Sequence, residues 1–254
     1  MFRPFFILIF LLFAGLSVAE DYPYNPHVPI DTWLALEPYF LPDHALRKKL
    51  DAIFTKQRVT QSPQTFAKGG FGKPKLRQPT NIVIGRHLSI PHYLFKVYLD
   101  SQPPLIDWDN WVKRIEGARA IRECLQRHHF KHFVVPKKWI YPLPMKPSPP
   151  NTSEYYRKNF ILVVEELAIL DQQENKKAFQ KKITPQILDE LFVILTEVGL
   201  IDSVYIDNIP FTRDGKIAFI DTEHHQSNQE VPYHKLTRYL SPPMQNYWQK
   251  LIEH

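Results

Sequence analysis

The chain has 254 residues, including 23 prolines, only 8 glycines and a single cysteine, and 44% of its residues are hydrophobic. This composition excludes full disorder, a collagen-like repeat and a disulfide framework, and the length is sufficient to bury a core. The formal net charge of +6 comes from lysines and arginines spread along the chain, a pattern that does not support nucleic-acid binding.

A secretory signal peptide is predicted at residues 1–19. Arg3 precedes an apolar run at 5–14, and small residues at 17–19 suit a cleavage site. The apolar run is shorter than the roughly 20 residues that a spanning helix needs. We therefore expect cleavage after Ala19, a secreted or periplasmic protein, and no membrane span after cleavage. An uncleaved anchor or a buried strand is the alternative for this segment.

The amino-terminal half of the mature chain is predicted to contain an arm followed by paired strands. Residues 20–44 are rich in proline and aromatic side chains and predict an extended arm with a short helix near 31–37, and a second helix at 43–57 completes the region 20–57. Two runs rich in Ile, Val, Tyr and Phe, at 81–88 and 93–99, predict two paired strands.

The residues that start and end a helix are clearest in two long predicted helices. Asp107 is a candidate N-cap for the first, whereas the second has Thr184 as N-cap, Pro185 at its first position and Gly199 as its stop. The predicted elements after residue 100 are a helix at 107–127, a strand at 133–141, a strand buried on both faces at 159–164, a helix at 185–198, a hairpin of 209–212 with 216–220, and a helix at 243–252. This order predicts an α+β fold.

The segment 199–223 has the side chains that a metal-dependent site requires. It contains Asp202, the pair Asp207 and Asn208, a turn at Gly215, and Asp221 at the end of an apolar strand. Carboxylate and amide oxygens are the ligands that Mg²⁺ prefers, and a hairpin can hold them a few ångströms apart.

This segment resembles the protein-kinase-like superfamily. In that family a catalytic Asp precedes a metal-binding Asn, and a hairpin leads to the metal-binding Asp of the DFG motif. Here Asn208 and Asp221 are 13 residues apart, and residues 221–223 stand at the DFG position. The resemblance implies that Asp202 is the catalytic base and that Asp207, Asn208 and Asp221 are Mg²⁺ ligands.

Upstream residues resemble the family in the same order. Lys96 lies in the middle of a strand like the lysine that pairs with the phosphates, and Glu116 lies on the next helix like its carboxylate partner. Glu166 follows a strand that resembles the one leading to the adenine-binding hinge. The resemblance implies ATP and Mg²⁺ as cofactors, bound with Lys96, Glu116 and Glu166, between a β-rich amino lobe at 58–166 and a reduced helical carboxy lobe at 167–254.

Two functions remain open. Ser203 stands where the family's catalytic Asp would be, five residues before Asn208, and the glycines near residue 70 do not form a G-x-G-x-x-G pattern. A kinase-like protein of this kind is expected to be a degenerate pseudokinase or a weak phosphotransferase. The alternative is a secreted interaction module that uses the scaffold without nucleotide, for a protein partner that the sequence does not identify.

The histidines suggest a rival chemistry. The run of His128, His129 and His132 and the cluster at 223–225, with His234 beyond, could supply a zinc site, although their spacing matches no H-E-x-x-H pattern. Solvated histidines are the structural alternative, and Cys124 is predicted to be a small buried hydrophobe in the first long helix.

Overall fold

The computed structural model describes residues 22–72, 75–77, 81–227 and 229–253, so the signal peptide predicted at 1–19 lies outside the described residues. The architecture mixes helices with a small antiparallel sheet, which is compatible with the predicted α+β class. The strands are β1 (Lys75–Arg77), β2 (Ile82–His87), β3 (Ile90–Tyr98), β4 (Phe133–Val134), β5 (Lys138–Pro142), β6 (Phe160–Glu165) and β7 (Ile217–Ala218). The helices are α1 (Ile30–Leu36), α2 (His44–Phe54), α3 (Pro63–Phe66), α4 (Trp108–Arg127), α5 (Gln172–Lys182), α6 (Pro185–Val198), α7 (His234–Thr237) and α8 (Pro242–Ile252).

The main sheet has the strand order β1-β2-β3-β6-β5, with every neighbouring pair antiparallel. The predicted pairing of the two strands after residue 80 is confirmed, with Ile84 of β2 opposite Lys96 of β3. Lys96 also lies opposite Leu162 of β6. The prediction that the strand at 159–164 is covered on both faces is confirmed, because the first five residues of β6 are buried.

Helices cover the two faces of this sheet. On one face α2 contributes Leu46, Leu50 and Phe54 to the core, while on the other face α1 and α4 contribute Trp33 and Trp111. The proline- and aromatic-rich segment therefore packs on the sheet, where its large side chains are removed from water.

The carboxy-terminal half has a separate, mainly helical core, built by α5, α6, α8 and the second half of α4. The predicted ends of α6 are confirmed. Thr184 Oγ1 accepts a hydrogen bond from the Ile187 N–H at 3.3 Å, and Gly199 adopts a left-handed conformation with φ of 67°. None of the described helices is both long enough and apolar enough to cross a membrane.

Several local predictions differ from the structure. The strand predicted at 133–141 is two strands, β4 and β5, which belong to different sheets. The strand predicted at 216–220 is shortened to β7, which pairs in parallel with β4 and meets the predicted partner strand through the isolated bridge of Phe211 with Ile217. Asp107 does not cap α4 with its side chain; it is fully buried and accepts hydrogen bonds from the N–H groups of Asn159 and Phe160, at 2.9 and 2.8 Å. Helix α5 was not predicted, because it buries few apolar side chains. Its capping box, formed by Asp171 and Glu174, is the signal that marks its start.

Candidate functional site

A cavity of about 440 Å³ lies where the sheet meets the segment 208–221. One part of its wall is apolar, with side chains from β2, β3 and β6 and from the chain that follows β6. These are Ile82, Ile84, Leu94, Val164, Leu167 and Ile169. The polar part of the wall includes Lys96, Arg114, Asn208 and Asp221, so three of the residues singled out in the sequence face one cavity.

Asp221 is held as a carboxylate by the cations around it. Burial alone would raise its pKa, but the positive charges of Lys96, Arg114 and Lys138 outweigh burial and lower the pKa to about 2. Lys96 comes from β3, Arg114 from α4 and Lys138 from the first position of β5. Asp221 therefore connects the sheet and α4 with the segment 208–221.

Arg114 is the α4 side chain that reaches the site. It is 3% exposed, and its two terminal nitrogens donate hydrogen bonds to the carboxylates of Asp221 and Glu223. The helix approaches the segment closely because Gly117, one turn further on, has no side chain to separate them. The buried hydroxyl of Thr222 donates to the Arg114 carbonyl at 2.5 Å and so adds another hydrogen bond between α4 and the segment 221–223.

Lys138 supports the same segment from the sheet side. Its Nζ donates to the hydroxyl of Thr222 at 2.6 Å and to the carbonyl of Ile220 at 3.3 Å. Burial and the nearby positive charge of Lys96 lower the pKa of Lys138 well below its usual value, against the opposing effect of Asp221. The sequence reading missed both Arg114 and Lys138, because nothing local distinguishes them from surface cations.

The side chain of Asn208 contacts the main chain of Asp202. The Asn208 side-chain amide donates to the main-chain carbonyl of Asp202 at 3.0 Å, so Oδ1 is the atom that Asn208 can offer to a metal. Burial and, to a smaller extent, the charge of Asp221 together raise the pKa of Asp202 to about 6. One buried oxygen of the Asp202 carboxylate has no hydrogen-bond partner among the described residues.

The other predicted site residues lie elsewhere. Asp207 is exposed and is not part of the cavity wall. Glu116 accepts a hydrogen bond from the Tyr39 hydroxyl at 2.7 Å and lines a different cavity, between α1 and α4. Arg114, and not Glu116, is thus the α4 residue that the fold brings to Asp221.

Glu166 is not part of the cavity wall, although it contacts Arg86, which is. Its carboxylate accepts a hydrogen bond from Arg86 at 2.5 Å, and its N–H donates to the His92 carbonyl at 2.8 Å. The neighbouring residues Glu165 and Leu167 line the cavity itself. The strand end predicted to act as a hinge is therefore next to the cavity, but the N–H of Glu166 is already used within the protein.

The histidines do not gather into one cluster among the described residues. His128 contacts Glu197 at 2.7 Å, and His132 contacts Glu190 at 2.9 Å, both glutamates belonging to α6. Cys124 is buried, as predicted.

Comparison with known protein families finds no match to this chain, and comparison with curated proteins finds none either. The function therefore has to be argued from the cavity and its side chains.

Proposed function

We propose that this protein binds an ATP-like nucleotide with Mg²⁺ in the cavity between the sheet and the segment 208–221. The observation that carries the proposal is that Lys96, Asn208 and Asp221, three residues of the kinase-like resemblance, line one cavity together with an apolar wall. Such a combination, mostly apolar with a few convergent polar groups, is typical of small-molecule sites.

The apolar wall suits the base of a nucleotide. Ile84 and Leu94 come from adjacent strands, and Val164 and Leu167 come from the end of β6 and the chain after it. A planar, largely apolar base that packs between these side chains removes their surface from water. The segment after β6 takes the place that the resemblance assigns to the hinge.

The polar wall suits phosphates and a hard cation. Lys96 and Arg114 supply positive charge for phosphate oxygens, and the donor set of Asn208 Oδ1 with the Asp221 carboxylate matches the preference of Mg²⁺ for oxygen ligands. The lowered pKa of Asp221 keeps it ionised at neutral pH, as a metal ligand must be. A bound Mg²⁺ would offset phosphate charge; Asn208 and Asp221 would hold it.

The order of elements supports a kinase-like fold as part of the proposal. The strand with Lys96 is followed by the long helix α4, then by β5 and β6, and only then by the helical half. The residues proposed for the metal follow α6, on either side of the turn at Gly215. Export of the protein, also proposed, rests on residues 1–19 alone.

Whether transfer accompanies binding depends on Asp202 and Arg114. Asp202, with a pKa of about 6, is mostly ionised at neutral pH and has the proton affinity of a useful general base. Arg114, however, already pairs with Asp221. We propose nucleotide binding as the primary function and weak phosphotransfer only where Mg²⁺ competes with Arg114 for this carboxylate.

The Arg114 contacts also favour a second candidate, a secreted interaction module that needs no nucleotide. Arg114 pairs with Asp221 and Glu223 at once, so that the segment 221–223 is stabilised by contacts within the protein. In that case the cations and carboxylates have a structural role.

A thermal-shift titration with ATP and Mg²⁺ distinguishes the two candidates. A ligand at 100 times its Kd stabilises the folded state by about 2.7 kcal/mol, so the Tm should rise clearly. The variants Lys96→Ala and Asp221→Ala should lose this rise, whereas Lys216→Ala and Asp214→Ala, on the exposed hairpin turn, should retain it. No rise in the unmutated protein would contradict nucleotide binding and favour the interaction module.

A further inference from the structure

A second group of titratable side chains lies outside the cavity, where α4 and α6 end. Cys124 is in the last turn of α4, His128 follows that helix directly, and Glu197 is in the last turn of α6. One ligand atom from each of the three side chains lies within 4.8 Å of the other two.

The contacts within this group converge on the glutamate. His128 Nε2–H donates to Glu197 Oε1 at 2.7 Å, and the Cys124 thiol donates to Glu197 Oε2 at 3.8 Å. Cys124 is fully buried, whereas the side chains of His128 and Glu197 are 32% and 37% exposed. The group therefore has a closed side at the sulfur and an open side from which an ion can enter.

We propose that Cys124, His128 and Glu197 form a binding site for Zn²⁺. Thiolate sulfur, imidazole nitrogen and carboxylate oxygen are the three ligand types that proteins use for this ion, and three protein ligands with water in a fourth position are a common tetrahedral arrangement. The sulfur ligand argues against Mg²⁺ and Ca²⁺, which take oxygen ligands. The site is thus chemically distinct from the one proposed for Mg²⁺.

The helix ends at this group favour a cation. Both helices present their carboxyl ends to the group, and the carbonyl groups at such ends carry partial negative charge. On binding, the ion replaces the thiol proton, which passes to solvent, and the neutral imidazole binds the ion through Nε2 with its proton on Nδ1.

Neighbouring residues hold the ligands in place. Arg127 donates to Glu197 Oε2 at 3.0 Å, and the ring of Phe130 stacks on that of His128 with centroids 5.1 Å apart. The His128 N–H also donates to the Cys124 carbonyl at 3.1 Å, which fixes the spacing of two ligands. Contacts of this kind orient metal ligands before the ion arrives.

The test is a Zn²⁺ titration of the chelator-treated protein against a chromophoric chelator, with the folded state of each variant checked by circular dichroism. We expect one ion per chain, and affinity losses of at least about 10-fold in Cys124→Ser, His128→Gln and Glu197→Gln, since even outer contacts of zinc ligands contribute on this scale. His132→Gln is the matched control, because His132 makes the same kind of contact with Glu190 but has no cysteine in its group. It should bind Zn²⁺ as the unmutated protein does.

Co²⁺ in place of Zn²⁺ reports the ligands directly. The unmutated protein should show a thiolate-to-metal absorption band in the near ultraviolet, and Cys124→Ser should lose that band. The proposal is overturned if the unmutated protein binds no Zn²⁺, if the band survives in Cys124→Ser, or if His132→Gln weakens binding as much as His128→Gln does. If Cys124→Ser does not fold, the Zn²⁺ affinities of His128→Gln and Glu197→Gln test the proposal.

Discussion

The carbonyl oxygen of Thr222 lies so close to Gly117 that a Cβ atom at residue 117 would be 1.9 Å from it. Helix α4 thus packs with its backbone against the segment 221–223, and Arg114, one turn earlier, reaches both Asp221 and Glu223. The position of the helix and the position of the proposed metal ligand are therefore set by the same contact.

Replacement of Gly117 by alanine should destabilise the protein, although alanine is the better helix former by about 1 kcal/mol. The added Cβ must displace the backbone of Thr222, which cannot rotate away, so the cost of overpacking lies near the upper end of about 1–3 kcal/mol and leaves a net loss of about 2 kcal/mol. Urea unfolding measures the change, and Glu123→Ala on the exposed side of α4 should lie within about 0.5 kcal/mol of the unmutated protein. A Gly117→Ala variant as stable as that control would contradict the close packing.

Asp221 should contribute to stability only above acidic pH. Its pKa is lowered to about 2 in the folded protein from an ordinary value of 3.8, so the folded state binds the proton more weakly than the unfolded state. This contribution, of the order of 2 kcal/mol, is complete above pH 4 and is lost as the pH falls from about 4 to 2.

The variant Asp221→Asn tests that dependence. It should be less stable than the unmutated protein at pH 7, and its stability should fall less steeply between pH 4 and 2, as measured by urea unfolding at several pH values. Asp207→Asn changes an exposed aspartate of the same segment and should leave the decrease in stability between pH 4 and 2 unchanged. If the free energy of unfolding falls equally between pH 4 and 2 in the unmutated protein and in Asp221→Asn, the surrounding cations do not lower the pKa of Asp221 as described.

Asp202 should have the opposite effect on stability. Its pKa is raised to about 6, chiefly by burial, so the folded state binds this proton more strongly than the unfolded state. The carboxylate therefore reduces stability progressively as the pH rises from about 4 to 6, and the reduction is complete above that range. Asp202→Asn should consequently gain about 3 kcal/mol at pH 8 and little at pH 4.

The same substitution separates binding from transfer. The contact with Asn208 uses the main-chain carbonyl of residue 202 and survives the change. If the protein transfers phosphate, Asp202→Asn should lose transfer and retain the Tm rise with ATP and Mg²⁺. Lower stability of this variant at pH 8 would mean that the buried carboxylate is stabilised by contacts, and it would remove the argument for a raised pKa.

The features that were predictable from the sequence depend on neighbours along the chain. Thr184 and Gly199 delimit α6 through local capping, and the apolar run of β6 indicates burial on both faces. Lys96, Asn208 and Asp221, which line one cavity, were predicted as site residues because their order resembles a known family. Each of these signals lies within a few consecutive residues or depends only on the order of residues along the chain.

The residues that were missed depend on contacts between distant segments. Arg114 and Glu116 are two positions apart on a helix with 3.6 residues per turn, so they point in widely different directions. The apolar spacing of Ile115, Ala118 and Ile121, together with Gly117 beside it, marks the buried side of α4, but it does not tell which charged neighbour meets Asp221. Lys138 precedes its partner Thr222 by 84 residues, and nothing in either segment predicts that contact.

Arg58 and Asp100 form another long-range pair of this kind, next to the sheet. Arg58 donates to both oxygens of Asp100, at 2.9 and 2.7 Å, and is 8% exposed, while Asp100 is fully buried. The carboxylate also accepts hydrogen bonds from the Thr60 hydroxyl at 3.0 Å and from the Lys158 N–H at 2.8 Å. The pair therefore joins the chain before β1 to the chain after β3 and the chain before β6.

Removal of one partner should be strongly destabilising. Arg58→Met keeps much of the side-chain volume but leaves the Asp100 carboxylate buried without its counter-ion, which costs about 3–5 kcal/mol. Arg213→Met is the matched control, since Arg213 and Glu174 are 3.9 Å apart with both side chains largely in water, and such pairs contribute about 1 kcal/mol or less. Adding Asp100→Leu to Arg58→Met should recover part of the loss, because no unpaired buried charge then remains. Urea unfolding of the four proteins checks this, and equal losses in the two single variants would contradict a buried pair at Arg58.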